Sequence, residues 1–283
     1  MAEVLFPTCL DDARNLLVCS DAPALLAGGT DLLVQMRQKR IQPRTLISLD
    51  RVEGMQEIGQ TDQHIFIRCG VPLARVMDHP SIRAHAPVLA RAIADLGSPQ
   101  IRNMGTLGGN IMTASPAGDT LPPLYVLDAS VDLAGPEGFR RLPLAKFITG
   151  PGQTALASGE ILWQVTFNKP DPGAWHWFEK VGQRRALSIA MVSLAAMFSL
   201  DSHNKLSRIR LAWGSVGPTI VQSRETQDFL CGRPLEPEVL EKACDLARAA
   251  VSPISDIRAT KAYRRDVAGR LLMRLDQAVQ GEN

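Results

Sequence analysis

The spacing of apolar residues along the chain changes character near residue 170. Before it, apolar positions at helical spacing predict helices over residues 9–18 and 88–96. Short apolar runs predict strands at residues 25–27, 46–49, 65–68 and 161–167. A proline-rich break at residues 168–173 follows the last of these runs. Such a break is typical of a boundary between domains, and we place one domain at 1–170 and a second at 171–283.

The second part of the chain alternates with a period of two. Every even position from Ala190 to Leu200 is apolar, and Ile209, Leu211 and Trp213 repeat the pattern after a polar turn. This predicts an antiparallel hairpin. Apolar residues at helical spacing then predict helices over residues 237–251 and 259–279. Strands followed by helices favour an α+β fold.

One segment, residues 104–122, is filled with Gly, Ser, Thr, Asn, Asp and Pro. It predicts a loop that is too long to be a simple connection, and long ordered loops are usually functional. The apolar residues that follow it, 124–133, suit either the end of a buried helix or a strand.

Charge and composition exclude several classes of protein. The 283 residues include 31 Lys and Arg against 29 Asp and Glu, a net charge of +2. A partner with a dense negative charge, whether nucleic acid or membrane, would require a larger basic excess, so neither is expected. The five cysteines show no close pairing and no CxxC, which argues against disulfides and against a metal site. Without a leader-like start, the chain is expected to be cytoplasmic.

Most catalytic motifs are missing from the sequence. It contains no GxxxxGK[ST], GxGxxG, HExxH or GxSxG, and its five histidines are isolated. We therefore assign no catalytic residue and no metal ligand.

Two glycine-rich segments remain, Ala27–Leu32 and Gly105–Asn110. Adjacent glycines let backbone N–H groups converge on an anion, and Thr30, Thr106 and Asn110 add donors.

Either glycine pair alone is also consistent with an ordinary turn. Together they suit a tightly held dinucleotide, gripped at its pyrophosphate from two sides without a lysine. Asp119, in the polar segment that follows, could accept hydrogen bonds from sugar hydroxyls or from the adenine side of such a cofactor.

The same stretches carry a family resemblance. AGGTDLL at 27–33 and QIRNMGTLGGNIMTASPAGDTLP at 100–122 resemble the FAD-binding subunit of molybdenum hydroxylases, the group of xanthine dehydrogenase, aldehyde oxidase and carbon monoxide dehydrogenase. The resemblance continues through GPGQT at 150–154, GEIL at 159–162, PTIVQSRETQDFLCGRPL at 218–235 and TKAYRRDVAGRLLMRL at 260–275. It thus covers nearly the whole chain.

The resemblance implies a fold and a set of cofactor contacts. The first domain would be of the vanillyl-alcohol-oxidase (PCMH) type in two lobes, with FAD between the domains. The second would hold a three-stranded antiparallel sheet and helices. The implied FAD contacts are Leu25, Leu26, Ala27, Gly28, Gly29, Thr30, Asp31 and Leu32, then Thr106, Leu107, Gly108, Gly109 and Asn110 at the pyrophosphate, Ser115 and Asp119 at polar groups, Leu96 and Leu162 at the rings, and Lys180 near the flavin.

Lys180 has a physical reason to lie there. Reduction places negative charge near the N1–C2=O edge of a flavin, and a nearby cation stabilises that charge and raises the reduction potential. The alternative for Lys180 is an ordinary surface lysine on a strand.

The implied function is electron transfer within a complex. A small partner subunit with [2Fe–2S] clusters would deliver electrons to FAD on this chain, a molybdenum-cofactor subunit would oxidise the substrate, and NAD+, oxygen or a quinone would accept the electrons. Two alternatives are a self-contained flavin reductase similar to UDP-N-acetylenolpyruvoylglucosamine reductases, and a non-catalytic module that has lost FAD.

Overall fold

The computed structural model describes residues 2–184 and 187–280. The strands are β1 Glu3–Leu5, β2 Pro23–Leu26, β3 Thr45–Ser48, β4 Ile58–Gln60, β5 His64–Arg68, β6 Ser130–Gly135, β7 Gly138–Pro143, β8 Ile148–Gly150, β9 Gln153–Thr154, β10 Ile161–Asn168, β11 Trp175–Val181, β12 Val192–Leu200 and β13 Leu206–Gly214. The helices are α1 Leu10–Cys19, α2 Leu32–Arg37, α3 Leu73–Asp78, α4 Pro80–His85, α5 Pro87–Ala94, α6 Pro99–Met104, α7 Leu107–Thr113, α8 Leu121–Val126, α9 Leu144–Phe147, α10 Arg224–Leu230, α11 Pro237–Ala250, α12 Lys261–Arg270 and α13 Leu275–Gln280.

The first lobe is a parallel sheet in the order β1-β3-β2. Strands β2 and β3 correspond to the predicted runs at 25–27 and 46–49, and all four residues of β3 are buried. Helix α1 contacts β2 and β3, with Ala13 fully buried against them. The carboxyl end of β2 leads directly into the first glycine-rich segment, which the sheet therefore holds in place.

The second lobe is a sheet in the order β4-β5-β10-β6-β7, with antiparallel neighbours throughout. In its middle, Val165 of β10 lies opposite Ile67 of β5 and Val131 of β6, and all three side chains are fully buried. Burial of these β-branched side chains stabilises the pairing. Residues 69–126 leave this sheet from β5 and return to β6 through helices α3–α8, which include the second glycine-rich segment.

The C-terminal sheet is antiparallel, in the order β11-β12-β13, so the predicted hairpin and the implied three-stranded sheet are both confirmed. Ala195 and Met197 of β12 pack into the core of the N-terminal part, while the even residues Val192, Leu194 and Ala196 pack under the C-terminal helices. Both faces of β12 are thus covered. On the helical side, Trp213 is fully buried and its Nε1 donates to the carbonyl of Ala268 at 3.0 Å.

The loop predicted over 104–122 is confirmed at residues 114–120, but the prediction is wrong at residues 107–113, which form α7. Thr106 caps the N-terminus of α7, where its Oγ1 accepts a hydrogen bond from the backbone N–H of Gly109 at 3.0 Å. Leu107 and Ile111, four positions apart, are fully buried. The cap and this buried face outweigh the low helix propensity of two glycines.

The region 124–133, left open between helix and strand, contains the end of α8 and the start of β6. The helix predicted over 237–251 is confirmed as α11. The last predicted helix, 259–279, is interrupted, since a 3-10 turn at Leu271–Arg274 separates α12 from α13.

The end of α2 allows a test of stability. Lys39 has φ +58° and closes a Schellman motif, in which its N–H donates to Met36 and the N–H of Arg40 donates to Gln35. A left-handed conformation costs a residue with a Cβ about 1–2 kcal/mol. Because glycine also loses more backbone entropy on folding, we expect Lys39→Gly to stabilise the protein by about 0.5–1 kcal/mol.

Urea unfolding of Lys39→Gly beside Lys39→Ala checks this prediction. Alanine removes the same exposed side chain but keeps the Cβ, so it should leave the unfolding midpoint nearly unchanged. Equal shifts for both variants would contradict the argument.

Candidate functional site

A cleft of about 420 Å³ lies between the first lobe and the helical segment of the second lobe. Both glycine-rich segments line it, the first with Ala27–Leu32 and the second with residues from Gly105 to Thr113. Pockets of this size, with mostly apolar walls and a few placed polar groups, are typical of cofactor and ligand sites. Two segments that are separated by the 72 residues 33–104 thus face one cavity.

Gly28 brings the two lobes together. A Cβ on this residue would lie 1.7 Å from the carbonyl oxygen of Met104 and 2.9 Å from the Cα of Gly105. Both atoms belong to the backbone, so they cannot rotate away. The first glycine segment therefore packs main chain against main chain on the residues that precede α7.

Gly108 makes the same kind of contact inside the second lobe. Its Cβ would lie 2.4 Å from the Cβ of Cys69 and 2.6 Å from the Cys69 carbonyl oxygen, just beyond the end of β5. Gly109 differs, because only the Thr106 hydroxyl lies within 4 Å of its Cβ position. Gly108 thus fixes α7 against the sheet, whereas Gly109 is exposed and lines the cleft.

Side-chain hydrogen bonds cross the cleft and orient its polar groups. Asp31 Oδ2 accepts from Gln35 Nε2 at 2.8 Å and from Thr113 Oγ1 at 2.9 Å, which ties α2 to the end of α7. Asn110 Oδ1 accepts from the Thr120 hydroxyl at 2.6 Å, so its amide nitrogen is free to donate. Thr113 is the partner of Asp31 in this contact between the two helices, and the sequence analysis did not predict it as a site residue.

Most of the residues implied by the resemblance line this cleft. They are Leu25, Ala27, Gly28, Gly29, Thr30, Asp31, Leu32, Leu96, Thr106, Gly108, Gly109, Asn110 and Leu162. The exceptions are Leu26, Leu107, Ser115, Asp119 and Lys180. Leu107 points into the core with no exposed surface, and the Ser115 hydroxyl accepts from the backbone N–H of Ala117 in a local turn.

Sequence reasoning missed several wall residues, namely Ala24, Gln35, Leu49, Cys69, Leu73, Ile101, Met112, Leu156 and Ile161. Most of these are apolar residues whose pattern indicates only burial. Burial raises the pKa of the Cys69 thiol, so Cys69 stays protonated and forms part of the apolar wall.

Asp119 and Lys180 form a buried ion pair next to the cleft. Lys180 Nζ lies 2.6 Å from Asp119 Oδ2, and it also donates to the carbonyl of Asp95 at 2.8 Å. The two side chains are 9% and 6% exposed, so the alternative of an ordinary surface lysine is wrong. Burial raises the pKa of Asp119 to about 6, although Lys180 opposes this shift. Asp119 Oδ1 is buried and has no hydrogen-bond partner among the residues that the structure describes.

Residues 2–184 and 187–280 hold no group of three His, Cys, Asp or Glu side chains placed as a metal ion would need. None of the helices described there has the length and apolar character needed to cross a membrane.

Comparison with known proteins shows the family of the chain. The family described as the FAD binding domain in molybdopterin dehydrogenase matches residues 1–170, and the CO dehydrogenase flavoprotein C-terminal domain matches residues 177–279. The chain belongs to the FAD-binding subunits of molybdenum hydroxylases. The resemblance and the fold it implied are thereby confirmed, and this flavin subunit is an oxidoreductase component whose cofactor is FAD.

Individual relatives of the flavin subunit match over most of their length. A putative xanthine dehydrogenase FAD-binding subunit of Escherichia coli (strain K12) is 32% identical over 90% of this chain and 88% of its own. The nicotinate dehydrogenase FAD-subunit of Eubacterium barkeri is 29% identical over 93% and 91%. Among solved structures, a chain of carbon monoxide dehydrogenase from Hydrogenophaga pseudoflava superposes with a TM-score of 0.93 at 28% identity, covering 99% of this chain and 97% of that one.

The residues of the cleft fit FAD. A flavin and an adenine require apolar walls, which Leu25, Leu96 and Leu162 supply. A pyrophosphate requires hydrogen-bond donors, and the first glycine segment lines the cleft with its backbone and little side chain in front of it. In the second segment the backbone N–H groups of Gly108, Gly109 and Asn110 donate to Cys69 and Thr106, so the Asn110 side-chain amide is the donor there. The partnerless Oδ1 of Asp119 could accept a further hydrogen bond beside the cleft.

Proposed function

We propose that FAD lies in the cleft between the two lobes of the N-terminal domain. The observation that carries this proposal is the meeting of both glycine-rich segments on one cavity with apolar walls. The backbone N–H groups of Gly28–Thr30 would hold the pyrophosphate, together with the side-chain amide of Asn110 from the second glycine segment. The rings would lie against Leu25, Leu96 and Leu162, and Asp119 and Lys180 would approach from the domain boundary. We place that boundary between residues 170 and 171.

The charge of the site is consistent with this arrangement. Asp31 is the one charged side chain in the wall of the cleft, as far as the described residues extend. The pyrophosphate would therefore be stabilised by backbone dipoles and hydroxyl groups rather than by a lysine or arginine. Both hydrogen bonds that Asp31 accepts reach Oδ2, which leaves Oδ1 free for a cofactor hydroxyl.

The flavin subunit would act as a one-electron to two-electron converter. When bound, FAD supplies the ability to take up electrons singly and release them as a pair. We propose that the electrons come from [2Fe–2S] clusters of a small partner subunit, that a molybdenum-cofactor subunit oxidises the organic substrate, and that NAD+ or another acceptor takes the pair. The protein's own residues would hold the cofactor, exclude water and set its potential.

The names of the relatives support this complex over the alternatives. The relatives include FAD subunits and medium chains, among them a carbon monoxide dehydrogenase medium chain from Hydrogenophaga pseudoflava. These names favour the complex over a self-contained flavin reductase or a module without FAD. A cytoplasmic location is proposed from the five free thiols at Cys9, Cys19, Cys69, Cys231 and Cys244.

A bulky side chain in the cleft tests the cofactor site. We expect Gly109→Leu to weaken FAD binding at least tenfold, which corresponds to about 1.4 kcal/mol. The leucine would project into the space where the pyrophosphate is proposed to lie. Because only the Thr106 hydroxyl is near, the fold should remain. The measurement is the visible absorption spectrum of the purified chain after excess FAD is removed, with affinity from fluorescence titration.

Asn103→Leu is the matched control. Asn103 is also an exposed residue on a short helix next to the glycine segments, but it lies outside the cleft. It should keep the two-banded flavin spectrum. Equal retention of FAD by both variants would contradict this placement of the cofactor. A colourless wild-type chain, both alone and together with its partner subunits, would contradict the FAD site altogether.

A further inference from the structure

The ion pair between Asp119 and Lys180 joins the two domains through buried charges. Asp119 lies between α7 and α8 of the N-terminal domain, and Lys180 lies on β11 of the C-terminal sheet. Two bonds locate the lysine ammonium group, at 2.6 Å to Asp119 Oδ2 and at 2.8 Å to the carbonyl of Asp95. The residue after Asp95 is Leu96, which lines the cleft. Lys180 is therefore bound to the peptide group that precedes a wall residue of the proposed FAD site.

A paired lysine acts differently from a free one. In a buried region of low dielectric, an isolated ammonium group interacts strongly with a neighbouring charge. A carboxylate 2.6 Å away cancels most of this field, because the pair as a whole is neutral and acts as a dipole. The effect of Lys180 on a cofactor should thus depend on the charge state of Asp119.

We propose that Asp119 screens the positive charge of Lys180 from the bound flavin and thereby lowers the reduction potential of FAD. This inference rests on the proposed function, since it takes the flavin to lie in the cleft. Lys180 stabilises the negative charge that reduction adds to the flavin, and Asp119 opposes this stabilisation. Asp119 is a positioning and tuning residue, because it acts through the lysine.

The surroundings of Asp119 allow its charge to be removed by protonation. Burial raises the pKa of Asp119 to about 6 against the opposing effect of Lys180, and the like charge of Asp95 adds to the rise. From the other packed elements, Arg210 of β13 reaches the carbonyl of Val126 at the end of α8 and pairs with Asp128. Below pH 6, Asp119 is protonated and Lys180 is unscreened. Below pH 6 the flavin reduction potential should therefore increase more steeply with falling pH than proton uptake by the flavin alone would cause.

The direct test measures the flavin reduction potential in the FAD-loaded protein at pH 7.5. We expect Asp119→Asn to raise it by at least about 30 mV, which corresponds to a tenfold shift of a two-electron equilibrium. Lys180→Met should lower the potential. In the double variant, Asp119→Asn should have almost no further effect, because buried Asp119 without its cation takes up a proton and is already neutral. Asp95→Asn, which removes an equal but exposed charge, is the matched control and should shift the potential less.

The outcomes separate this inference from the proposed function. A lower potential in Asp119→Asn would mean that Asp119 only holds Lys180 in place, and an equal rise with and without Lys180 would exclude an effect through the lysine. Either result overturns the screening role while FAD remains bound. A wild-type protein that binds no FAD, alone or with partners, overturns the proposed function as well.

A second readout applies if Asp119→Asn does not fold. The potential of the wild type and of Lys180→Met is then titrated from pH 8 to pH 5. The additional rise near pH 6 is expected in the wild type and should be missing from Lys180→Met. Identical slopes in the two proteins would overturn the proposal.

Discussion

Gly28→Ala is expected to destabilise the flavin subunit by about 3 kcal/mol and to abolish retention of FAD. The added Cβ would lie 1.7 Å from the Met104 carbonyl oxygen and 2.5 Å from the Met104 carbonyl carbon. Adding a methyl group to a well-packed region costs about 1–3 kcal/mol, and we expect the upper end of that range because the atoms of Met104 that it meets belong to the backbone and cannot rotate away. Relief requires that the first glycine segment move away from α6 and α7, which opens the cleft.

Urea unfolding and flavin absorption measure the two effects of Gly28→Ala. Gly109→Ala is the matched control, because it adds the same methyl group in the second glycine segment and meets only the Thr106 hydroxyl at 3.1 Å. Its free energy of unfolding should stay within about 0.5 kcal/mol of the wild-type value. Wild-type stability in Gly28→Ala would mean that the two segments are further apart than the structure shows.

The contrast between Gly28 and Gly109 shows what the sequence could predict. Both belong to Gly-Gly pairs, and the sequence treats them alike. Only the fold shows that one meets a main chain 76 residues away and the other faces an open cleft. The residue types therefore predicted that two glycine-rich segments could face a phosphate. They did not predict which glycine packs against backbone and which one lines the cleft.

The fold itself was predictable where the pattern was regular. The alternation over 190–200 and 209–213 predicted β12 and β13, since the period of two is a direct consequence of strand geometry. The glycine-rich helix α7 was missed because the loop composition concealed the pair Leu107 and Ile111, whose spacing of four is helical. Strand β11 was expected only from the resemblance, because its sequence of Trp, His, Phe, Glu and Lys has no simple alternation of apolar and polar residues.

Long-range polar pairs were beyond sequence reasoning altogether. Asp31 and Thr113 are 82 residues apart, and Asp119 and Lys180 are 61 apart. Asp119 and Lys180 were each selected by the resemblance, yet nothing in it indicated that they pair with one another. The pair changes the chemistry of the site, because a lysine expected to act as a free cation is instead neutralised by a carboxylate.

The loop that carries Asp119 depends on a second buried charge, Arg264 of α12. The Arg264 side chain is 5% exposed. Its Nη1 donates to the carbonyls of Met191 at 2.6 Å and Ser215 at 3.1 Å, and its Nη2 donates to Asp256 at 2.7 Å. The backbone N–H of Ser215 in turn donates to the carbonyl of Pro116, three residues before Asp119. A guanidinium group in the C-terminal helices thus holds the segment next to the cofactor cleft.

Arg264→Met is therefore expected to cost at least about 2 kcal/mol, because an unsatisfied buried polar group costs about 1–3 kcal/mol. Methionine fills much of the volume but leaves the carbonyl groups of buried Met191 and Ser215 without their donor, while Asp256 keeps its bonds from Arg258 and Ala259. Unfolding in urea measures the loss. Arg265→Met is the control, because Arg265 is the next residue on the same helix and is exposed, so its loss should cost less than about 0.5 kcal/mol.

The acid side of the stability profile gives an independent check on Arg264. Burial alone would raise the pKa of Asp256, but the N–H groups of Arg258 and Ala259 and the guanidinium of Arg264 hold it well below its usual range. A depressed pKa stabilises the folded protein above the unfolded-state value near 4, and the stabilisation is lost as the pH falls through the folded-state value. The wild type should therefore lose stability on acidification more steeply than Arg264→Met. Parallel pH profiles would show that Arg264 contributes by packing and not by its charge.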